Sequence, residues 1–477
     1  MSDIVAYDAE TTDADVWHGQ ITQFGAVRAD MSFNVQAEME FRVRRLPWVV
    51  PTPKALEVTG MKPWDLSGER HISEYQASGE IERFLSPGYG VPRVLLTYNG
   101  IRFDDDLIRM TLFRNLRYPW FFSGKQTTRV DLLSVMRLVH ASSPEAMVIP
   151  EDEGGAPSFR LERLGPANGI EMRAHDAMSD TMATLELGRL VSERAPWEWQ
   201  TALACGRPSK VESLLSEAMA AGRPAYLFTH FGEADIIPCA VLGTNGQKKW
   251  VLADLRQDLD KPDTKAISES MFTRGTPFPV IRSNASPIFM DAANAARLNP
   301  TLDTSRIAAR AMEIKVGKKL AAAAVEALKG KEYDEQSDPT SEERIFSGFV
   351  ADSDRPSMTS FHRAAGWEAR SGISFADPRL RDFAARIMVE ACRNGEFQMA
   401  PDRLAEMEGR CAEALSRPWA GEEARWATLS SAIAGGADAE WIEWAKGEFG
   451  DLPAAPSAAA QEPEPDDEAP VQMDMGF

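Results

Sequence analysis

Four acidic residues and one histidine stand where the chain could do chemistry. Asp8 and Glu10 close the short apolar run that begins at Ile4, and residues i and i+2 of a strand point to the same side. Two carboxylates that converge at a sheet edge raise each other's pKa unless a cation lies between them. The pair therefore indicates a cation site, although an Asp-x-Glu pair alone is more often found on a solvated strand face.

Asp104 lies in a second acidic segment. It follows a predicted strand and the residues Asn99 and Gly100, and it begins a predicted helix. Acids in a first helical turn complement the helix dipole, which accounts for Asp105 and Asp106. The dipole does not account for Asn99 and Gly100, which predict a tight turn at the strand end.

Asp180 and His175 form the third segment. Asp180 lies beside the apolar helical stripe of Met178, Met182 and Leu185, and an acid this close to a core face usually has a partner or a metal. His175 comes five residues earlier, which is about 140° around a helix at about 100° per residue. We therefore expect His175 in the loop before the helix, above a site that Asp180 holds from below.

The cysteines and the other histidines limit the kind of metal. Four cysteines lie far apart without a CxxC pair, and six histidines include no HxxxH pair. This argues against a thiolate zinc site and a disulfide framework, and it favours a cytoplasmic location. A metal should be a hard ion held by carboxylates, such as Mg²⁺ or Mn²⁺. No apolar run approaches the ~18 residues of a membrane span.

These residues need elements that bring them together. Apolar patterning predicts strands at 4–7, 23–29, 39–43 and 93–98, and helices at 107–114, 131–140 and 176–192. Antiparallel strands followed by alternating helices and strands indicate a mixed α/β domain over residues 1–196.

Two further regions follow the first. Strand-like runs at 225–229, 236–242, 250–255 and 279–282, closed by a helical segment at 307–329, predict a small β-rich domain over 197–345. Residues 346–450 are rich in Ala, Glu, Arg and Trp and predict a helical domain.

Charge is unevenly distributed along the 477 residues. The formal net charge is −20, and evenly spread acid would repel a phosphate backbone. Seven acids and five prolines, but no Lys or Arg, lie in 451–477, which predicts a disordered acidic tail.

Residues 91–140 are locally basic and contain interleaved aromatics, a composition that suits sequence-tolerant binding of single strands. The alternative is that most of these aromatics are core and most of the bases are solvated. The bases are Arg93, Arg102, Arg109, Arg114, Arg117, Lys125, Arg129 and Arg137.

Taken together, the three acidic segments resemble the DEDDh exonucleases of the ribonuclease-H-like fold. The matching motifs are Asp8-Ala9-Glu10-Thr11, Asn99-Gly100-Ile101-Arg102-Phe103-Asp104 and His175-Asp176-Ala177-Met178-Ser179-Asp180. Similarities at 98–105, 129–133, 157–162, 167–171 and 347–355 narrow the resemblance to the bacterial exonuclease I family. The resemblance is thin over 200–340. It implies a mixed sheet with flanking helices, then an SH3-like β-rich domain and a helical C-terminal domain, all enclosing single-stranded DNA.

The family implies 3′–5′ hydrolysis of single-stranded DNA that releases 5′-mononucleotides, in DNA repair and recombination. Two Mg²⁺ ions about 4 Å apart would stabilise the attacking and leaving oxygens, with Mn²⁺ as a substitute. By family role, Asp8 would bridge both ions. Glu10 and Asp180 would complete the ion on the nucleophile side, and Asp104 would hold the other. His175 would take the proton of the attacking water.

The resemblance also indicates substrate-binding residues and a partner. Arg160 lies in the matching Ser-Phe-Arg-Leu segment, Thr59 lies in a segment similar to the loop that cradles the terminal nucleotide, and Glu10 is expected to touch the substrate. Family members bind the C-terminal tip of single-strand-binding protein, and the family suggests a monomer. The acidic tail ending at Phe477 resembles that tip and is hypothesised to mimic it. An inert solubilising tail is the alternative.

Two other functions stay open at this point. One is a 3′–5′ exoribonuclease of the oligoribonuclease or ribonuclease T-like kind, against which the long chain after the first domain weighs. The other is a catalytically silent single-strand-binding scaffold, which would be expected to lack a carboxylate.

Overall fold

The structure is a computed structural model that describes residues 2–87, 91–229, 234–246, 248–259, 264–271, 273, 275–316, 319–330, 339–410, 424 and 426–450. The predicted acidic tail lies outside these residues. Within the described part of the chain, no helix has both the length and the apolar character needed to cross a bilayer.

The first region is built on a mixed five-stranded sheet. Its strands are β1 (Asp3–Thr11), β2 (Ile21–Asp30), β3 (Val35–Arg42), β4 (Arg93–Thr97) and β5 (Thr127–Asp131), in the order β3-β2-β1-β4-β5. β1 pairs antiparallel with β2 and parallel with β4, and β4 pairs parallel with β5. The predicted mixed α/β architecture is confirmed, as are four of its strands.

Helices cover both faces of this sheet. They are α1 (Pro53–Thr59), α2 (Glu74–Leu85), α3 (Asp104–Arg114), α4 (Leu132–Ser142), α5 (Leu161–Ala167), α6 (Ala177–Arg194) and α7 (Pro196–Cys205). α4, α5, α6 and α7 bury their apolar residues against one face, and α2 and α3 bury theirs against the other. Since β1 is the central strand, covered on both sides, its polar residues at the carboxyl end stand out chemically.

The second region is an antiparallel sheet with helices around it. After α8 (Pro208–Ala221) come β6 (Ala225–Thr229), β7 (Asp235–Thr244), β8 (Lys249–Asp254), β9 (Val280–Arg282) and β10 (Phe289–Met290), in the order β10-β6-β7-β8-β9. The flanking helices are α9 (Thr264–Ser270), α10 (Ala292–Leu298), α11 (Thr304–Val316) and α12 (Lys319–Gly330). The predicted helical segment at 307–329 is therefore two helices.

The third region is helical, as predicted, and packs against the first. Its helices are α13 (Arg355–Arg363), α14 (Trp367–Ser371), α15 (Pro378–Arg393), α16 (Pro401–Arg410), α17 (Leu429–Ala434) and α18 (Ala439–Phe449). Phe113 of α3 and Phe383 of α15 meet edge to face, with ring centroids 5.1 Å apart. α18 covers the segment that contains α1. The boundaries at 196 and 345 stay predictions, because α7 contributes both to the first core and, through Cys205, to the core of the second sheet.

Candidate active site

The carboxyl end of β1 presents the first two acids. Asp8 is half-buried and Glu10 is buried, on a strand whose register with β2 shifts just after Glu10. Asp8 pairs with Gly25 of β2. A Cβ on Gly25 would lie 2.6 Å from the backbone carbonyl of Ala177. The glycine therefore lets the first turn of α6 approach the sheet directly beside Asp8, a requirement that sequence analysis missed.

A tight turn after β4 presents Asp104. Asn99 has a positive φ of 61°, and its backbone N–H donates to Asp131 Oδ1 at 2.9 Å. A Cβ on Gly100 would lie 2.3 Å from Asp104 Oδ2. The predicted turn is present, and the absence of a side chain at Gly100 makes room for the Asp104 carboxylate.

The start of α6 supplies Asp180, and the loop before α6 supplies His175. Asp176 caps the helix by accepting from the backbone N–H of Ser179 at 3.0 Å. The backbone N–H of His175 donates to Asp180 Oδ2 at 3.1 Å. His175 has a φ of 60° and is exposed. The prediction that His175 lies in the loop before the helix is confirmed.

The structure brings these segments together at one place. Carboxylate oxygens of Glu10 and Asp180 and a ring nitrogen of His175 lie within 4.8 Å of one another. The pKa of Asp8 is raised well above its ordinary value by burial and then by the charges of Asp104, Glu10 and Asp180. All four predicted carboxylates therefore belong to one electrostatic cluster, which we call the carboxylate cluster.

Burial and repulsion raise the pKa of the other members as well. The pKa of Glu10 rises to about 7, first because of burial and then because of Asp180 and Asp176. The pKa of Asp180 also rises to about 7, with burial as the first cause. The pKa of Asp104 is raised well above its ordinary value by burial and then by Asp105. The cluster is thus poorly suited to hold several negative charges without a cation.

A divalent metal fits this donor set. Asp180 Oδ1 is buried and finds no hydrogen-bond partner in the described part of the chain, whereas a buried carboxylate oxygen normally has one. Oxygen ligands from carboxylates are those that hard divalent ions prefer. A cation would supply the missing partner of Asp180 and relieve the repulsion between the acids.

Asp105 and Tyr7 form a layer behind the cluster that local spacing did not indicate. Asp105 has no exposed surface; it accepts a hydrogen bond from the Tyr7 hydroxyl and pairs with Arg129 of β5. Asp105 lies in the first turn of α3, as predicted, but its charge is met by Arg129 as well as by the helix dipole. This layer joins β1, α3 and β5 beneath Asp104.

The two other predicted substrate-binding residues lie outside the cluster. Thr59 ends α1, and its hydroxyl donates to the carbonyl of Ala55 at 3.0 Å. α1 is tied to the end of β1 through the backbone N–H of Thr52, which donates to the Thr12 carbonyl at 2.8 Å. Arg160 is exposed just before α5, 4.0 Å from Glu162.

The basic stretch at 91–140 is largely interior. Four of its arginines are buried and paired with carboxylates, so the interpretation as a DNA-binding surface is wrong for them. The pairs are Arg93–Asp3, Arg109–Asp106, Arg114–Glu74 and Arg129–Asp105. Three of its aromatics, Phe113, Phe121 and Phe122, are also buried. Arg93, Arg114 and Arg129 each join two elements of the first region, whereas the pair of Arg109 with Asp106 lies within α3.

Comparisons with known proteins agree with this architecture. A family model described as Exonuclease matches residues 5–187. Exodeoxyribonuclease I of Haemophilus influenzae is 27% identical over 405 residues, which cover 78% of this chain and 83% of the relative. Exodeoxyribonuclease I of Escherichia coli is 38% identical over 204 residues, 41% of each chain.

Solved structures extend the likeness across the three regions. Exonuclease I from Methylocaldum szegediense superposes with a TM-score of 0.78 at 25% identity, covering 94% of this chain and 98% of that one. E. coli Exonuclease I in complex with a dA16 oligonucleotide gives a TM-score of 0.74 at 24% identity, with 87% and 91% coverage. An ExoI/SSB-Ct complex gives 0.73 at 23% identity, with 88% and 92% coverage.

The first region is thus an exonuclease domain of the ribonuclease-H-like fold, and the protein is an enzyme of that class. The likeness to one relative extends well beyond this domain. Over most of its length the chain is similar to exodeoxyribonuclease I proteins.

Proposed function

We propose that the chain is a 3′–5′ exodeoxyribonuclease specific for single-stranded DNA, which releases 5′-mononucleotides in DNA repair and recombination. The observation that carries this proposal is the meeting of four carboxylates and one histidine from three segments at the end of β1. The names of its relatives, and the oligonucleotide bound to one structural neighbour, support single-stranded DNA as the substrate.

Asp8, Glu10, Asp104 and Asp180 would hold two divalent metal ions, with Mg²⁺ preferred and Mn²⁺ as a substitute. Such ions, when bound, stabilise the charge on the attacking and leaving oxygens of a phosphodiester. The raised pKa of Glu10 and Asp180, about 7 for each, supports this assignment, because carboxyls that resist ionisation alone ionise readily beside a cation.

His175 would act as the general base. Its ring lies within 4.8 Å of the Glu10 and Asp180 oxygens but is exposed, so it can reach a water above the carboxylates and return the proton to solvent. General base catalysis of this kind is typically worth about 10²–10⁴ in rate.

Thr59 and Arg160 would hold the DNA, Thr59 at the terminal nucleotide and Arg160 at a phosphate. Glu10 would also touch the terminal nucleotide.

We further propose the C-terminal tail of single-strand-binding protein as a partner, by analogy with the ExoI/SSB-Ct complex. A monomer in the cytoplasm is proposed as well; the described cysteines Cys205, Cys239 and Cys392 are free thiols.

Asp8→Asn tests the assignment. It keeps the size of the side chain but removes the charge, so release of mononucleotides from the 3′ end of single-stranded DNA should fall by about 10³-fold or more, while binding of DNA stays measurable. Asp402→Asn, which alters an exposed acid of α16, is the matched control and should keep full activity. Near-normal cleavage by Asp8→Asn would contradict the assignment.

A competition assay tests the substrate class. Single-stranded DNA and RNA of equal length and sequence are offered together with Mg²⁺, and DNA should be consumed first. Preferential loss of RNA would favour the exoribonuclease, and binding without release of mononucleotides would favour the silent scaffold.

A further inference from the structure

Arg160 stands at the end of a loop that closes on itself. Glu151 and Pro157 form an isolated antiparallel bridge. The backbone N–H of Ser158 donates to the carbonyl of Pro150 at 2.7 Å. These bonds are internal to the loop, so they fix its shape but not its position relative to the carboxylate cluster.

Phe159 joins this loop to the core. Its ring meets His140 of α4 edge to face with centroids 5.6 Å apart, and the guanidinium of Arg137 lies 5.5 Å from its centroid. Its backbone carbonyl accepts a hydrogen bond from the Tyr98 hydroxyl. Because Phe159 directly precedes Arg160, these contacts set where the Arg160 side chain begins.

Tyr98 also borders the turn that presents Asp104. It follows the last residue of β4 and precedes Asn99 and Gly100. Its ring packs against the core beneath the sheet. One residue therefore connects the backbone that carries Arg160 with the backbone that leads to Asp104.

We infer that Tyr98, acting through Phe159, is a positioning residue that sets the distance between Arg160 and the carboxylate cluster. The inference rests on the proposed function, in which Arg160 binds a DNA phosphate. Tyr98 itself touches neither the DNA nor the metals. Its hydroxyl fixes the distance between the phosphate-binding arginine and the site of hydrolysis. Loss of the hydroxyl therefore weakens DNA binding while the chemical step proceeds.

Tyr98→Phe removes only the hydroxyl and keeps the ring. A hydrogen bond of this kind is worth about a two- to tenfold change in an equilibrium. We expect KM for single-stranded DNA to rise by about that factor, with kcat within about twofold of the wild type. Tyr226→Phe, at a buried tyrosine of the second sheet, is the matched control and should change neither constant.

A double-mutant cycle separates positioning from a general structural effect. If Tyr98 acts through Arg160, the double variant Tyr98→Phe/Arg160→Ala should have the KM of Arg160→Ala alone, because the two residues are coupled. Multiplicative effects on KM, or a fall in kcat at unchanged KM, would overturn the inference.

A second variant keeps the inference testable if Tyr98→Phe is unstable. Phe159→Leu retains the Tyr98 bond to the backbone but loses the ring contacts with His140 and Arg137, and it should raise KM only when Arg160 is present. Failure of the proposed function looks different, because the wild type would then release no mononucleotides with Mg²⁺. If the wild type is active and the two substitutions of the cycle affect KM independently, only the role of Tyr98 is rejected.

Discussion

At Gly100 the absence of a side chain decides where the carboxylate of Asp104, a proposed metal ligand, can lie. A Cβ there would be 2.3 Å from Asp104 Oδ2 and 2.8 Å from the Thr97 Cβ, so Gly100→Ala should displace the Asp104 carboxylate. We expect a loss of exonuclease activity of about 10²-fold, the scale of a small misplacement of a reacting group. The measurement is the rate of mononucleotide release at saturating DNA and Mg²⁺.

Gly447→Ala is the control for that change. It introduces the same methyl group in α18, where the new Cβ would have no described atom within 4 Å other than those of its neighbours and of its own helix backbone, and alanine is a better helix former than glycine. Activity should be unchanged and thermal stability slightly higher. Equal activity of both variants would show that Asp104 tolerates displacement.

The raised pKa of Glu10 and Asp180 predicts how stability depends on pH and metal. Both values are about 7 in the folded, metal-free protein, above the ordinary values of carboxyls near 4. The folded state therefore holds protons that the unfolded chain has released, so metal-free stability should fall as pH rises from about 4 to about 7. Mg²⁺ should reverse this loss, because it binds the deprotonated carboxylates.

Thermal unfolding in EDTA and in Mg²⁺, at about pH 5 and about pH 8, measures both effects. The Mg²⁺-induced rise in the unfolding midpoint should be larger at the higher pH. In Glu10→Gln both the pH dependence and the Mg²⁺ effect should shrink. A Mg²⁺ effect independent of pH would contradict protonation of the cluster.

Local spacing drew attention to the acids, and the combined resemblance of their three motifs to a family assigned their roles, but neither indicated what surrounds them. The structure brings the segments that contain Asp8, Glu10, Asp104, Asp180 and His175 together. The layer behind Asp104 depends on partners distant in sequence. No local pattern indicates that the charge of Asp105 is met by Arg129 of β5, and the same holds for the partners of Arg93 and Arg114.

At the scale of elements, the pairing of Asp105 with Arg129 holds the first turn of α3 against β5. Arg129 is buried and also donates to the carbonyl of Ile101 at 2.9 Å. Asp105→Ala would leave that guanidinium without its carboxylate, and breaking a buried pair in this way costs about 3–5 kcal/mol. Denaturant unfolding should show a loss of this size, together with reduced activity because Asp104 begins the same turn.

An exposed ion pair provides the comparison. Glu57 and Lys54 lie 3.4 Å apart on the surface of α1, and exposed pairs are worth about 0–1 kcal/mol. Glu57→Ala should therefore change the free energy of unfolding by less than about 1 kcal/mol. A similarly small effect of Asp105→Ala would mean that solvent reaches Arg129 in place of its partner.

Elements with a clear apolar pattern were predicted from the sequence, and those without one were missed. β1 to β4 have periodic apolar positions that matched their observed faces, whereas Met182 of the predicted apolar stripe on α6 is 39% exposed. β5 reads Thr-Thr-Arg-Val-Asp, which is too polar for a predicted buried strand. Its first four residues are nevertheless buried, because Arg129 is paired with Asp105. β10 has only two residues and exists through its pairing with β6.

At the scale of the whole molecule, the helical region supports the segment that contains Thr59. Trp441 of α18 is only 2% exposed, packs in the apolar cluster that includes Leu56, and donates from Nε1 to the Pro51 carbonyl at 3.2 Å. Lys62 pairs with Glu440 at 2.8 Å. α18 therefore packs against the segment that contains α1 and stabilises it, although nearly 400 residues separate them in sequence.

Trp441→Ala should loosen this segment selectively. Removing a buried tryptophan costs about 3–5 kcal/mol when the surroundings cannot collapse. Hydrogen exchange should accelerate at residues 51–67 and in α18 more than in the central sheet, and KM for single-stranded DNA should rise because Thr59 moves with α1. Trp64→Ala, at a tryptophan that is 49% exposed on the same segment, should leave exchange nearly unchanged. If exchange accelerated uniformly across the first domain, the helical region would stabilise the domain as a whole, and α18 would have no specific role at the segment that contains Thr59.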